Sequence, residues 1–401
     1  MEKREFYKCR VQFLGMVDKE EALELHKRNP GKITIDPSVE IKGTDDLELV
    51  YTPGVAEPCK KISEDKQKSY DYTTKGNLVA VVSDGSAVLG LGDIGPEASM
   101  PVMEGKANLM KKFGGVDGFP ICLDSETAGD IVEQVEALEP TFGAINLEDI
   151  KAPRCFRVEE TLKRSLDIPV FHDDQHGTAI VVGAALQNAL DLTGKDLKDA
   201  RIVISGAGAS GIAVAKFLID AGAENIVPVD SSGILRTDDD NKYKADLAEK
   251  TLASEEEGSL EDAMHNADVF IGLSAPDIVS TEMVSSMAED PIVFALANPE
   301  PEILPEVARE GGAYITATGR SDFVNQVNNS LAFPGVFRGA LDVKASEINE
   351  EMKIAASEAI RNFIEPEEDK IVPDTLDREL AREIADKVRE SARDTGVARE
   401  E

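Results

Sequence analysis

Residues Arg201–Gly211 read RIVISGAGASG, and this stretch decides the fold. Ile202 to Ser205 is an apolar run of strand length, and Ile212 to Ala221 has the composition of a helix. Between them Gly206, Gly208 and Gly211 stand in G-x-G-x-x-G spacing. Glycine there lets the backbone turn tightly and approach a ligand closely, and the first amides of the following helix can hold a pyrophosphate. A further strand, Ile226 to Val229, ends in Asp230, placed to accept from a ribose hydroxyl. That carboxylate favours NAD over NADP on electrostatic grounds, while Ser231 and Ser232 after it tolerate either. The candidate nucleotide-binding residues are therefore Gly206, Gly208, Ser210, Gly211 and Asp230.

Downstream, Asp268–Leu273, Ile292–Ala297 and Ala313–Thr318 continue as strands that end in small or polar loops. Asn298 and Asn329 follow in such loops, and an amide suits a carboxamide or a carboxylate because it donates and accepts without charge. Arg236–Asp262 holds ten acidic and four basic residues and reads as a solvated face. Phe333-Pro334-Gly335 reads as the end of this unit, and Glu347–Phe363 and Asp377–Arg393 as two closing helices.

Upstream, Asn77–Ser83, Phe119–Leu123, Ala144–Leu147 and the run ending at Phe171 alternate with helical stretches, which predicts a second parallel sheet. Two of these strands deliver acidic pairs at their carboxyl ends, Glu148-Asp149 and Asp173-Asp174. Oxygen ligands converging from two strand ends suggest one site for a hard cation, Mg or Mn in preference to zinc. In a helix expected from Pro101, Lys106 shares a face with Val102, Leu109 and Phe113, with Met103 and Met110 beside it. Its ammonium either snorkels to water or is desolvated, with its pKa lowered, into a general base. Tyr51 stands directly before the turn Thr52-Pro53-Gly54 and reads either as a core or interface aromatic or as a catalytic residue. Gly90, Gly92 and Gly95 also show G-x-G-x-x-G spacing, but Pro96 follows and no suitably placed acid does, so they read as close packing beside a substrate pocket.

Composition narrows the function further. With 77 acidic against 43 basic residues the net charge is −34, which argues against nucleic acid and anionic membranes as partners. Self-repulsion of that size is screened by salt, so tolerance of high salt is expected. The chain has no long apolar run and no signal-peptide profile, so a cytoplasmic protein is expected. Its four cysteines lack a C-x-x-C pair and read as reduced thiols. The expected architecture is α/β: a substrate and catalytic domain over 1–172, a Rossmann-type doubly wound dinucleotide-binding domain over 173–328, and a C-terminal helical segment over 329–401. That last segment packs on the first domain or on a partner subunit. A nicotinamide, a hard cation and a lysine in an apolar pocket together predict oxidative decarboxylation of a hydroxy-dicarboxylic acid.

YTPGVAEPC, SDGSAVLGLGDIG, MPVMEGK, INLEDI, HDDQHGTAI, GAGASGI, FALANPEPE and NNSLAFPGVFRGAL, in order from about Leu49 to Leu341, resemble the successive signatures of malic enzyme. The shorter prokaryotic branch is the most similar. The resemblance implies conversion of malate to pyruvate and carbon dioxide with NAD or NADP and with Mg or Mn. By motif it implies Tyr51 as the general acid and Lys106 as the general base, with Asp173 tuning Lys106 through a hydrogen bond. It further implies Glu148, Asp149 and Asp174 as metal ligands, Asn298 and Asn329 as contacts to substrate or nicotinamide, and a homodimer or larger assembly, in some members with sites completed across subunits. Larger members carry an arginine where Ala87 stands, so the grip on the malate carboxylates differs here. Malolactic decarboxylation, and a non-catalytic nucleotide-binding protein, are the alternative readings.

Overall fold

A computed structural model describes residues 19–400; the first part of the lead-in, with Cys9, lies outside the described residues. Two parallel sheets follow one another along the chain. The first contains β1 (Leu78–Ser83), β2 (Asp117–Cys122), β3 (Ala144–Leu147) and β4 (Val170–His172), in spatial order β2-β1-β3-β4. β3 and β4 are buried throughout and β1 almost so, as a sheet covered on both faces requires. Its direction of winding reverses between β1 and β3, and a crevice opens beyond the carboxyl ends at such a switch point. Glu148 and Asp149 leave β3 into that crevice, and Asp173 and Asp174 begin the helix after β4.

The second sheet contains β5 (Ile202–Ser205), β6 (Ile226–Asp230), β7 (Gly233–Ile234), β8 (Val269–Gly272), β9 (Ile292–Ala295) and β10 (Ile315–Thr318), in order β10-β9-β8-β5-β6-β7. This is the dinucleotide-binding order, with the third strand reduced to an antiparallel pairing of β7 on β6. The reduction is local: Asp230 Oδ1 accepts from the Ser232 amide at 2.7 Å and turns the chain straight back. Asp173–Thr193, a helix buried along most of its length, joins the two sheets. It packs on the helix Ala209–Asp220 of the second sheet and on Glu350–Asn362 near the C-terminus.

Three expectations are corrected. The helix bearing Lys106 spans Pro96–Leu109, starting ahead of Pro101, because Gly95 (φ +80°) turns the chain and Pro96 sits in the first turn. Its buried face is Ser99, Met103, Lys106 and Ala107, so Met103 flanks the lysine while Val102 is 40 % exposed. Phe333-Pro334-Gly335 opens a buried helix, Phe333–Asp342, where it was expected to end a unit. Gly335 and Gly339 lie so close to the helix Leu380–Asp394 that a Cβ on either would meet its backbone and side chains under 3 Å away. The third correction concerns Arg236–Asp262, which is not wholly a solvated face: it contains the helix Lys242–Glu249, with Tyr243, Leu247 and Ala248 buried.

The C-terminal helices pack back toward the first sheet's half. Arg338 donates to Asn77, Lys344 pairs with Asp71, and Arg399 pairs with Asp167. The helices Lys19–Arg28, Thr44–Val50 and Ala56–Glu64, by contrast, bury no residue. Ile35, Leu49 and Tyr51 are 80 %, 74 % and 68 % exposed. This arm is tied to its own chain at Lys32, whose amide donates to Glu104 and whose Nζ donates to the Pro101 carbonyl.

Candidate active site

Glu148, Asp149 and Asp174 each offer a carboxylate oxygen, and these oxygens all lie within 4.8 Å of one another. Asp149 is held at φ +54°, a backbone region that aspartate tolerates better than most residues, and its amide donates to Asp174 Oδ2 at 2.8 Å. The structure thus brings the two strand ends together at one point. The donor set fits a hard divalent cation. All donors are carboxylate oxygens, Asp149 Oδ2 is buried with no hydrogen-bond partner, and ligands about 2.1 Å from an octahedral ion lie about 3 to 4 Å apart.

Lys106 enters the same cluster from the helix Pro96–Leu109. Its Nζ is 2.5 Å from Asp173 Oδ2 and 2.8 Å from Glu148 Oε1, and it sits 4.3 Å from the centroid of the Phe333 ring. Burial alone would lower its pKa, as the sequence suggested. Asp173 and Glu148 outweigh burial and hold the ammonium above the ordinary lysine range. One lysine cannot compensate four neighbouring carboxylates. Burial pushes Glu148 well above the ordinary carboxylate range; Lys106 opposes this, and Asp174, Asp173 and Asp149 add to it. Burial, and next Asp174, push Asp149 up to about 7.

The sign of the pH dependence follows. The folded state keeps a proton on Asp149 that the unfolded chain, with its ordinary pKa of 3.8, has released, so this group's contribution to stability is lost as pH rises from about 4 to about 7. Asp149→Asn is expected to melt with a flatter pH dependence than wild type over that window, the curves separating by several degrees at its upper end. A divalent cation should raise the wild-type melting temperature more at pH 7 than at pH 5. Parallel curves with and without the substitution would remove Asp149 from the cluster's electrostatics.

The nucleotide turn lies at the carboxyl end of β5. Gly206 has φ +114°, and a Cβ on it would overlap the Leu273 carbonyl; one on Gly211 would overlap the Gly206 carbonyl. Both positions therefore exclude side chains, and Gly208 has nothing within 4 Å of the corresponding point. A cavity of about 620 Å³ opens beside the turn, lined by Gly206, Ala207, Asp230, Ser231, Ser232, Gly233, Ser274 and Ile278 among others. Asp230 lines it but is not free. Lys244 Nζ, from the stretch read as solvated, lies 2.6 Å from Asp230 Oδ2.

Ser210, expected among the nucleotide contacts, donates its hydroxyl proton to the Asp174 carbonyl at 2.9 Å. Asn329 lies against the acidic helix, since a Cβ on Gly177 would stand 3.2 Å from its Cβ and would also meet the Asp173 carboxylate. Asn298 donates to the Gly319 carbonyl, and Pro299 after it packs on Gly90, which places the glycine loop of the first half against a loop of the second. Tyr51 is 68 % exposed and caps the helix Thr44–Val50, in an arm with no buried residue to anchor it.

Other residues brace the site without having been singled out from the sequence, although Asp84 and Glu302 lie within SDGSAVLGLGDIG and FALANPEPE. Buried Glu302 accepts from the amides of Ser274 (2.8 Å) and Ala297 (3.1 Å), tying the loops after β8 and β9. Buried Glu159 accepts from the His172 amide, Gln175 and His176, fixing the junction that presents Asp173 and Asp174. Asp84, after β1, pairs with Arg154. Glu159 stands outside every quoted motif and is visible in the sequence only as one more acid among 77.

A dinucleotide turn beside a lysine and converging carboxylates defines a nicotinamide-dependent α/β oxidoreductase. The profile described as malic enzyme, N-terminal domain, matches residues 31–130, and that described as malic enzyme, NAD binding domain, matches residues 175–393. The chain belongs to the malic enzyme family, and its reaction is the oxidative decarboxylation of malate with reduction of NAD or NADP. It is 57 % identical to a bifunctional malic/malolactic enzyme of Bacillus subtilis over 387 residues, 95 % of this chain and 94 % of that one. To an NAD-dependent malic enzyme of Geobacillus stearothermophilus it is 54 % identical over 376 residues, 92 % of this chain and 78 % of that one. The crystal structure of malic enzyme from Pyrococcus horikoshii superposes with a TM-score of 0.92 at 49 % identity, covering 96 % of this chain and 92 % of that one. NAD-dependent and NADP-dependent members both occur among the relatives, and no helix among the described residues is long and apolar enough to cross a membrane.

Proposed function

We propose that Lys106 and Tyr51 carry the proton transfers of malate oxidation, around Mg or Mn held by Glu148, Asp149 and Asp174. The convergence of those three carboxylates within 4.8 Å, with Lys106 bridging Glu148 and Asp173, is the observation that carries this reading. Lys106 Nζ takes the proton of the C2 hydroxyl as C2 gives up its hydride, and Asp173 holds the ammonium that forms. The C4 carboxylate then leaves as carbon dioxide, and Tyr51 returns a proton to C3 of enolpyruvate. A bound cation would polarise the C2 oxygen and compensate the charge that develops there, and a bound nicotinamide would supply the hydride acceptor. Engagement of Glu148 removes one of the two carboxylates that keep Lys106 protonated, and burial then works toward the neutral amine. Asn298 and Asn329 grip the carboxylates or the carboxamide without adding charge.

The division into 1–172, 173–328 and 329–401 assigns substrate binding to the first sheet and nucleotide binding to the second. A homodimer in the cytoplasm is the form proposed to be active. The apolar side chains exposed on the arm, Leu49 and Ile35 foremost, suit a second copy of this chain, and docking there would carry Tyr51 to the partner's carboxylates.

The Lys244–Asp230 pair bears on nucleotide choice. With its charge compensated, Asp230 repels a 2′-phosphate less, and Lys244 can donate to one. The test is NADH or NADPH formation from malate with each nucleotide, with and without Mn. Both nucleotides are expected to support turnover only with metal, and Lys244→Ala to raise KM for NADP about tenfold and that for NAD by less than about twofold. Turnover that ignores chelation would remove the metal reading. The name of the Bacillus subtilis relative favours a second reading, malolactic turnover in which the NADH formed is consumed in place; lactate formed in excess of NADH would reveal it.

A further inference from the structure

We infer that Ser210 is a positioning residue that couples nucleotide binding to the cation site through Asp174, an inference that rests on the ligand assignment proposed above. Ser210 lies in the first turn of the helix Ala209–Asp220, the end that receives an anionic pyrophosphate. A serine hydroxyl has one proton to give, and this one goes to the Asp174 carbonyl at 2.9 Å. It is therefore not available to a phosphate oxygen while that bond lasts.

Asp174 is likewise in the first turn of its helix, Asp173–Thr193, and its Oδ2 accepts from the Asp149 amide at 2.8 Å. The first turns of two packed helices are thus joined by one hydrogen bond. One of those turns meets the phosphates and the other presents a candidate ligand. Any adjustment of the Ala209–Asp220 turn as the pyrophosphate docks is transmitted to Asp174, and by linkage a cation on Asp174 must favour the nucleotide equally. The coupling is bounded by the worth of a single neutral hydrogen bond, roughly two- to tenfold in affinity.

The test is Mn²⁺ binding to the full-length protein, read from the electron paramagnetic resonance of free Mn²⁺ with and without saturating NAD. In wild type, NAD is expected to tighten Mn²⁺ by about two- to tenfold. Ser210→Ala should abolish that gain, and Ser210→Thr, which retains the hydroxyl, should preserve it. An equal gain in wild type and Ser210→Ala, or no gain in wild type, overturns the coupling while leaving the ligands in place. Loss of the gain in both variants marks a packing effect and also overturns it. Failure of wild type to bind Mn²⁺, or binding unchanged by Asp149→Asn, overturns the ligand assignment itself.

Discussion

Replacing Lys106 by alanine should lower kcat for malate by about 10²–10⁴-fold, the range over which a positioned general base acts, with nucleotide affinity unchanged. Lys106 reaches Asp173 and Glu148 on the first sheet's side, whereas the cavity beside the glycine turn lies at β5 and β6. The alanine variant also leaves two buried carboxylates facing a void, which is destabilising in itself. Lys106→Arg separates the two effects. Arginine retains the positive charge between Asp173 and Glu148 but cannot give up its proton in a protein, so it should melt close to wild type and be nearly as inactive as alanine. The chain has no tryptophan, so nucleotide affinity is best read from the fluorescence of NADH itself. An arginine variant with more than about a tenth of wild-type turnover would eliminate Lys106 as the base.

Tyr51→Phe should lower kcat by a similar 10²–10⁴-fold if its hydroxyl supplies the proton at C3. Exposed on its own chain, Tyr51 is open to the carboxylates of another copy. Subunit mixing tests this directly. Unfolding and refolding Tyr51→Phe together with Lys106→Ala creates mixed dimers. If tyrosine and lysine of one site come from different subunits, each mixed dimer holds one intact site and one doubly altered site. Equal mixing should then recover about a quarter of wild-type activity. If both groups belong to one chain, every site in the mixture carries a defect and activity remains at the level of the single variants.

The elements at the heart of the fold were legible because their signals are local. A buried strand is a short apolar run, so Ile202–Ser205 and Ala144–Leu147 could be bounded to the residue. The glycine turn was readable because only glycine satisfies the contacts at Gly206 and Gly211. The acidic pairs were conspicuous as carboxylates at the ends of apolar runs, where a ligand crevice forms. Boundaries failed where packing overrode local preference, as at Phe333, whose helix is held by close contact of Gly335 and Gly339 with a helix some forty residues further on.

By itself, then, the sequence determined two parallel α/β units, a nucleotide turn, and pairs of acidic residues at two strand ends, because each is written in residues adjacent along the chain. Tertiary structure decided the charge on Lys106, since only packing sets its burial against Asp173, 67 residues away, and Glu148. It likewise decided that Lys244 compensates Asp230, that the Ser210 hydroxyl meets Asp174, and that Tyr51 is left exposed on its arm. Electrostatic and hydrogen-bond energies depend on separation and burial in three dimensions, which periodicity along the chain does not encode.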